Sequence, residues 1–107
     1  MSSINKNNTT LETIGLSKKN FQKWISFNLN LDNIDNDYHL DHFNPLSLFE
    51  CKTMEDIIIT KCNHWTNIRP MLSIDNIKKS NKVPSLNEKI KMDIRIYIFN
   101  KILNNKI

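Results

Sequence analysis

The chain has 107 residues, a formal net charge of +4 and 39% hydrophobic residues, enough for one small domain and too little for two independent cores. No stretch approaches the roughly twenty apolar residues that span a bilayer, and no apolar run near the N-terminus suggests a secretory signal. Composition therefore points away from membrane and secreted classes and towards an intracellular protein whose two cysteines, Cys51 and Cys62, are reduced thiols.

The charge is uneven. Residues 1–56 hold five lysines against eight acids, whereas residues 76–107 hold eight Lys or Arg against Glu88 and Asp93. Such a basic end attracts polyanions by steering and by counterion release, although a solvated lysine face has the same composition. Seventeen Asn residues weaken every propensity argument, because Asn favours caps and turns over element interiors.

Residues 1–10 are rich in Asn, Ser and Thr and are predicted to be a disordered leader ahead of a single domain over 11–107. Ser17 stands where an N-cap belongs, and Phe21, Trp24, Ile25 and Leu29 recur at helical spacing, so a packing helix is expected over about 17–29. An acidic, amide-rich loop from Asn30 to Asp37 leads into Tyr38 to Asn44, read as a strand or extended ribbon ending at Pro45. Thr53 and Asp56 resemble a capping box opening a helix over Met54 to Cys62, against which Ile57-Ile58-Ile59-Thr60 argues for a strand. Asn67 to Met71 is a second extended piece broken by Pro70, and Ser73 or Asp75 can cap a short helix running to Lys79. Ser85 and Glu88 form a capping box for a basic helix over about 86–104, in competition with a strand-like alternation from Ile94 to Ile98. The expected class is α+β.

Two stretches concentrate the chemistry: Tyr38-His39-Leu40-Asp41-His42, and His64-Trp65-Thr66-Asn67-Ile68-Arg69-Pro70 running into Asp75-Asn76-Ile77-Lys78-Lys79. Phosphodiester hydrolysis needs a nucleophile, charge stabilisation on the phosphoryl oxygens and help for the departing oxygen, and one divalent ion can supply the last two. Mg²⁺ takes oxygen ligands and keeps several waters, so Asp41 and Asn76 suffice as the protein's share. His42 is the candidate acceptor of the water's proton, since imidazole titrates near neutrality. Neighbours on a strand face opposite ways, so Asp41 and His42 can share a site only if the backbone departs from regular geometry, for which Phe43-Asn44-Pro45 is the place. Asn67 is expected to pin the connecting loop, and His64 to orient the turn before it. His39 serves equally well as a packing residue. Lys79, Lys82 and Arg69 are candidate phosphate contacts. A zinc site from Cys51, Cys62 and His64 is disfavoured, because an eleven-residue separation is unlike the close Cys pairs of structural zinc.

These segments resemble the HNH nucleases of the ββα-metal fold, in which a first strand ends in Asp-His, a second element carries a middle Asn, and a helix supplies the last Asn or His. The resemblance is tight over residues 38–83 and looser over a Lys-Trp-Ile helix at 16–29. It implies a small ββα-metal core with flanking helices, His42 as general base, Asp41 and Asn76 as metal ligands, and Asn67 as a structural amide. The nine-residue step from Asn67 to Asn76 is what it leads one to expect. It further implies a DNA endonuclease using one Mg²⁺, or alternatively Mn²⁺; a single site makes one cut, so a nick is expected, from a monomer or weak homodimer. The alternative it leaves is an inactive DNA-binding module of the same fold. The chain departs from the pattern where Ile34-Asp35-Asn36-Asp37 replaces a Gly-containing turn, where Lys79-Ser80-Asn81-Lys82 replaces Lys-Gly-Asn-Lys, and in lacking paired Cys motifs for zinc.

Overall fold

The computed structural model describes residues 11–79 and 81–105. The leader expected over residues 1–10 and the substitution at Ser80 lie outside the described residues. The elements follow the order α1 (Lys18–Leu31), β1 (Tyr38–His42), α2 (Met54–Thr60), β2 (Ile68–Leu72), α3 (Ser73–Lys79) and α4 (Leu86–Asn104), with 3₁₀ turns at Leu46–Leu48 and Trp65–Asn67. The fold is α+β, its strands forming one antiparallel two-stranded ribbon.

The first helix starts where its cap predicts. The Ser17 side chain accepts from the Asn20 N–H at 3.2 Å, and α1 continues two residues past the expected end to Leu31. Trp24, Ile25 and Asn28 form its buried stripe. The Trp24 indole meets Trp65 edge-on at 4.9 Å and Phe99 of α4 at 5.2 Å, while its Nε1–H donates to the Ile68 carbonyl at 2.7 Å. One side chain thus fills the core and ties α1 to β2 without leaving a buried donor unmatched. Truncation of so large a core ring typically costs about 3–5 kcal/mol.

The last helix closes the core from the other side through Met92 and Phe99. Its start is a full capping box: the Ser85 hydroxyl accepts from the Glu88 N–H, and the Glu88 carboxylate accepts from the Ser85 N–H. Those bonds hold the Glu88 carboxyl below its ordinary range. The strand-like alternation at Ile94–Ile98 loses to this cap and to a fork from Arg95 to Asp32 at 2.6 and 2.9 Å, with a third bond to the Asn28 oxygen.

Local chemistry sets the remaining boundaries. The Thr53–Asp56 capping box forms, and α2 is a helix, so the Ile57–Thr60 run is not a strand. It stops at Thr60, short of Cys62, because Lys61 turns left-handed at φ 59°. The second strand begins at Ile68 and not at Asn67, which closes a 3₁₀ turn. Pro70 sits inside it opposite Leu40, tolerable because both strands of a two-stranded ribbon are edges. Ser73 opens α3 without capping it by side chain: its hydroxyl donates to Asp37 Oδ1 at 3.0 Å and its N–H to the Asp37 carbonyl at 3.1 Å. The acidic loop is thereby fastened to the start of α3. Gly15, the chain's one glycine, has φ 81° and packs so closely under the His64 ring that any Cβ there would collide with it.

Candidate functional site

The ribbon and α3 form a strand, strand, helix unit that gathers most of the chemistry-bearing residues. Asp41 is paired in register with Arg69 across the ribbon. Its carboxylate, 9% exposed as a residue, lies 3.6 Å from Arg69 Nε and 3.0 Å from Lys79 Nζ. Lys79 also donates to Asp41 Oδ1 at 3.3 Å and to the His42 carbonyl at 2.9 Å, and the Arg69 guanidinium lies over the Phe43 ring at 4.8 Å. Among the described residues, Asp41 Oδ2 and Arg69 Nε are buried polar atoms that no hydrogen bond satisfies. Arg69 Nε stands too far from the carboxylate for a hydrogen bond, whereas Oδ2 is ion-paired with the Lys79 ammonium. One carboxylate thus faces two cations, leaving local positive charge to attract an anion.

The excess extends outwards. A cavity of about 280 Å³ beside the pair is lined by Arg69, Lys78, Lys79 and Lys82 against Asp75 and Glu88. Lys82 itself is exposed, its backbone N–H turned back onto the Lys79 carbonyl at 3.0 Å.

Asn76 lies one helical turn before Lys79 on the same face of α3, and His39 two residues before Asp41 on the same face of β1. The two meet through Asn76 Nδ2 and His39 Nδ1 at 3.2 Å. An amide nitrogen only donates, so His39 Nδ1 accepts and the Asn76 oxygen is left as the amide's acceptor.

His42 turns away from this group. Its Nε2 lies 2.8 Å from Asn63 Oδ1, and because an amide oxygen only accepts, Nε2 carries the proton and Nδ1 of the neutral ring is the basic nitrogen. The departure from regular strand geometry comes after His42, not between it and Asp41, since β1 includes both. The two side chains consequently leave opposite faces of the ribbon, and His42 reaches the Asp41–Lys79 pair only through its backbone carbonyl.

Asn67 spans the connection. Its Oδ1 accepts from the Asn44 N–H at 2.7 Å, and its Nδ2 donates to the carbonyls of Asn44 at 3.1 Å and Cys62 at 2.8 Å. Its own carbonyl accepts from the Phe43 N–H at 2.7 Å. His64 caps the turn that delivers Asn67, its Nδ1 taking the Thr66 N–H at 3.4 Å and meeting the Thr66 hydroxyl at 2.8 Å. Burial, with Lys61 adding, pushes the His64 pKa down.

Asn63 carries no signal in the sequence beyond turn composition, and the Lys79–Asp41 pair and the His39–Asn76 bond join residues too far apart in the chain to leave a local pattern. The pattern that could have found Lys79 is its i+3 spacing from Asn76 on the helix face above β1.

Among the described residues, no three His, Cys, Asp or Glu side chains converge as a metal cluster. The donors chemically suited to a hard divalent ion are the Asp41 carboxylate, which the Lys79 ammonium occupies here, and the Asn76 amide oxygen.

No protein-family model matches the chain, and no solved structure does. It is similar to two proteins of Acanthamoeba polyphaga mimivirus. Uncharacterized protein L426 is 31% identical over 98 residues, covering 87% of this chain and 41% of that protein. Uncharacterized protein L246 is 32% identical over 92 residues, covering 72% and 40%. The chain thus spans about two fifths of the length of the curated relatives it matches.

Proposed function

We propose that the chain is an HNH-type endonuclease of the ββα-metal class that hydrolyses DNA phosphodiester bonds with one divalent ion, Mg²⁺ or Mn²⁺. The observation that supports this reading best is the buried Asp41 carboxylate held between the Lys79 and Arg69 cations, with Asn76 on the Lys79 face of α3 and the His42 imidazole on the next residue of β1, its Nε2 proton given to Asn63 Oδ1.

Asp41 and Asn76 are the residues that would hold the ion. The chemistry it supplies when bound is neutralisation of charge on the phosphoryl oxygens and on the departing oxygen. His42 Nδ1 would take the proton of the attacking water once the end of β1 turns its ring to the Asp41 face, with the tautomer selected by Asn63. Lys79 and Arg69, with Lys82 further out, bind the phosphate. Lys79 bonds the carboxylate and the His42 carbonyl together, so it keeps the two halves of the site in register. Asn67 maintains the turn from which Asn63 reaches His42. One such site makes one cut, so the primary product is a nick.

The test is cleavage of supercoiled plasmid by the purified chain with Mg²⁺ or Mn²⁺, beside a chelator control and His42→Ala. Removal of a general base slows cleavage by about 10²- to 10⁴-fold. Equal nicking by wild type and His42→Ala rejects the mechanism. DNA binding with a steep salt dependence and no nicking by either establishes the alternative, a binding module that has kept the fold without the reaction.

A further inference from the structure

The two cysteines stand apart from the chemistry above and close to each other. Cys51 lies just before α2 and Cys62 just after it, yet Cys51 Sγ donates to Cys62 Sγ at 2.8 Å. Cys62 is fully buried and Cys51 half-buried, with the Thr60 hydroxyl 3.9 Å from Cys51 Sγ. His64, the third residue a zinc site would need, is turned to Thr66 and Gly15.

We infer that Cys51 and Cys62 are an oxidisable dithiol, closed to an intramolecular disulfide by a peroxide-class oxidant. Cys51, the more accessible sulfur, attacks the peroxide oxygen, becoming a sulfenic acid as the O–O bond breaks and the other oxygen leaves as water. Cys62 then attacks the Cys51 sulfur, the S–O bond breaks, and the sulfenic oxygen departs as a second water. Two thiols and one peroxide thus give one disulfide and two waters, the two electrons passing to the peroxide. The Cys51 thiol is held above its ordinary range, first by its hydrogen bond to Cys62 and then by burial, so the reaction quickens as pH rises and the thiolate fraction grows.

Closure staples both ends of α2. It also fixes Cys62, whose carbonyl accepts the Asn67 amide and whose successor, Asn63, bonds His42. The bridge therefore rigidifies the loop that carries both amides. This inference stands whether or not the chain cleaves DNA.

The test treats the full folded chain with hydrogen peroxide and follows free-thiol titration, intact mass, non-reducing peptide mapping and thermal unfolding. The expected result is a monomer that has lost both thiols and two hydrogen masses, with a linked Cys51–Cys62 peptide. Its melting temperature rises by roughly 10 °C, as closure of a short loop predicts, and reductant reverses every change. Cys51→Ser, at the half-buried position, keeps its remaining thiol under brief treatment and shows no rise. Oxygen addition at Cys51 alone, a covalent dimer, or two thiols that persist in the folded chain overturns the proposal.

Discussion

His42 Nε2 and Asn63 Oδ1 lie 2.8 Å apart, joining the last residue of β1 to the loop after α2. The bond selects the tautomer in which Nδ1 is free, so its loss should let the ring rotate and sample the other form. Asn63→Ala is expected to lower the nicking rate up to about tenfold, the worth of one ordinary hydrogen bond, with DNA affinity unchanged. Asn63→Gln, which retains the amide oxygen, should recover part of the rate. A plasmid-nicking time course beside an affinity measurement separates the two effects, and an equal fall in both would assign Asn63 to DNA contact instead.

Asn67 uses both ends of its amide on backbone groups of two segments. Asn67→Ala strands the Cys62 and Asn44 carbonyls and the Asn44 N–H in a largely buried setting. A loss of about 2–3 kcal/mol in urea unfolding is expected, by the cost of unsatisfied buried groups. Asn67→Asp keeps the acceptor for Asn44 but turns a carboxylate oxygen towards two carbonyls, so it should rescue little. Stability near wild type in both variants would mean that the clasp is redundant.

What was readable in advance divides along the range of the interactions. Ser17, Thr53 with Asp56, and Ser85 with Glu88 act on backbone three residues away, and each marks a helix start in the structure. The ribbon is visible in Tyr38 to Asn44, a short extended run before Pro45, although β1 stops two residues earlier at His42. The misplacements come from contacts between distant segments. Asn67 belongs to a turn because Asn44 and Cys62 compete for its amide. Ser73 does not cap α3 because Asp37, thirty-six residues earlier, takes its hydroxyl. Asn63 and the Lys79–Asp41 pair were hidden for the same reason: a partner 21 or 38 positions away leaves no local pattern in a chain so rich in Asn and Lys.

Lys79 occupies the Asp41 carboxylate from a position only 10% exposed. Lys79→Met keeps the apolar stem and removes the ammonium, leaving Asp41 with the more distant Arg69. The variant is expected to be less stable by about 1–3 kcal/mol without metal, as a partly uncompensated buried charge costs. It should regain more stability than wild type when Mg²⁺ is added, because an ion bound at Asp41 no longer competes with the ammonium. Thermal unfolding of both chains across a Mg²⁺ titration measures this. Parallel responses would remove Asp41 from the list of ligands.

His64 supplies a pH dependence whose sign follows from its burial. Its folded pKa lies below the ordinary imidazole value of 6.5, chiefly through desolvation and secondarily through Lys61. Below pH 6.5 the unfolded chain therefore takes up a proton that the folded chain resists. The contribution is fully present above 6.5 and is lost as pH falls through the lowered folded pKa. Protonation also removes the Nδ1 lone pair that accepts the Thr66 N–H, so acid should open the turn carrying Asn67. His64→Asn keeps an N-cap acceptor that does not titrate in this range. Its melting temperature should fall less than that of wild type between pH 7 and pH 5, and the two chains should keep the same slope above pH 7. A wild-type profile as flat as the variant's would mean that His64 protonates without penalty, and that the turn does not depend on its neutral form.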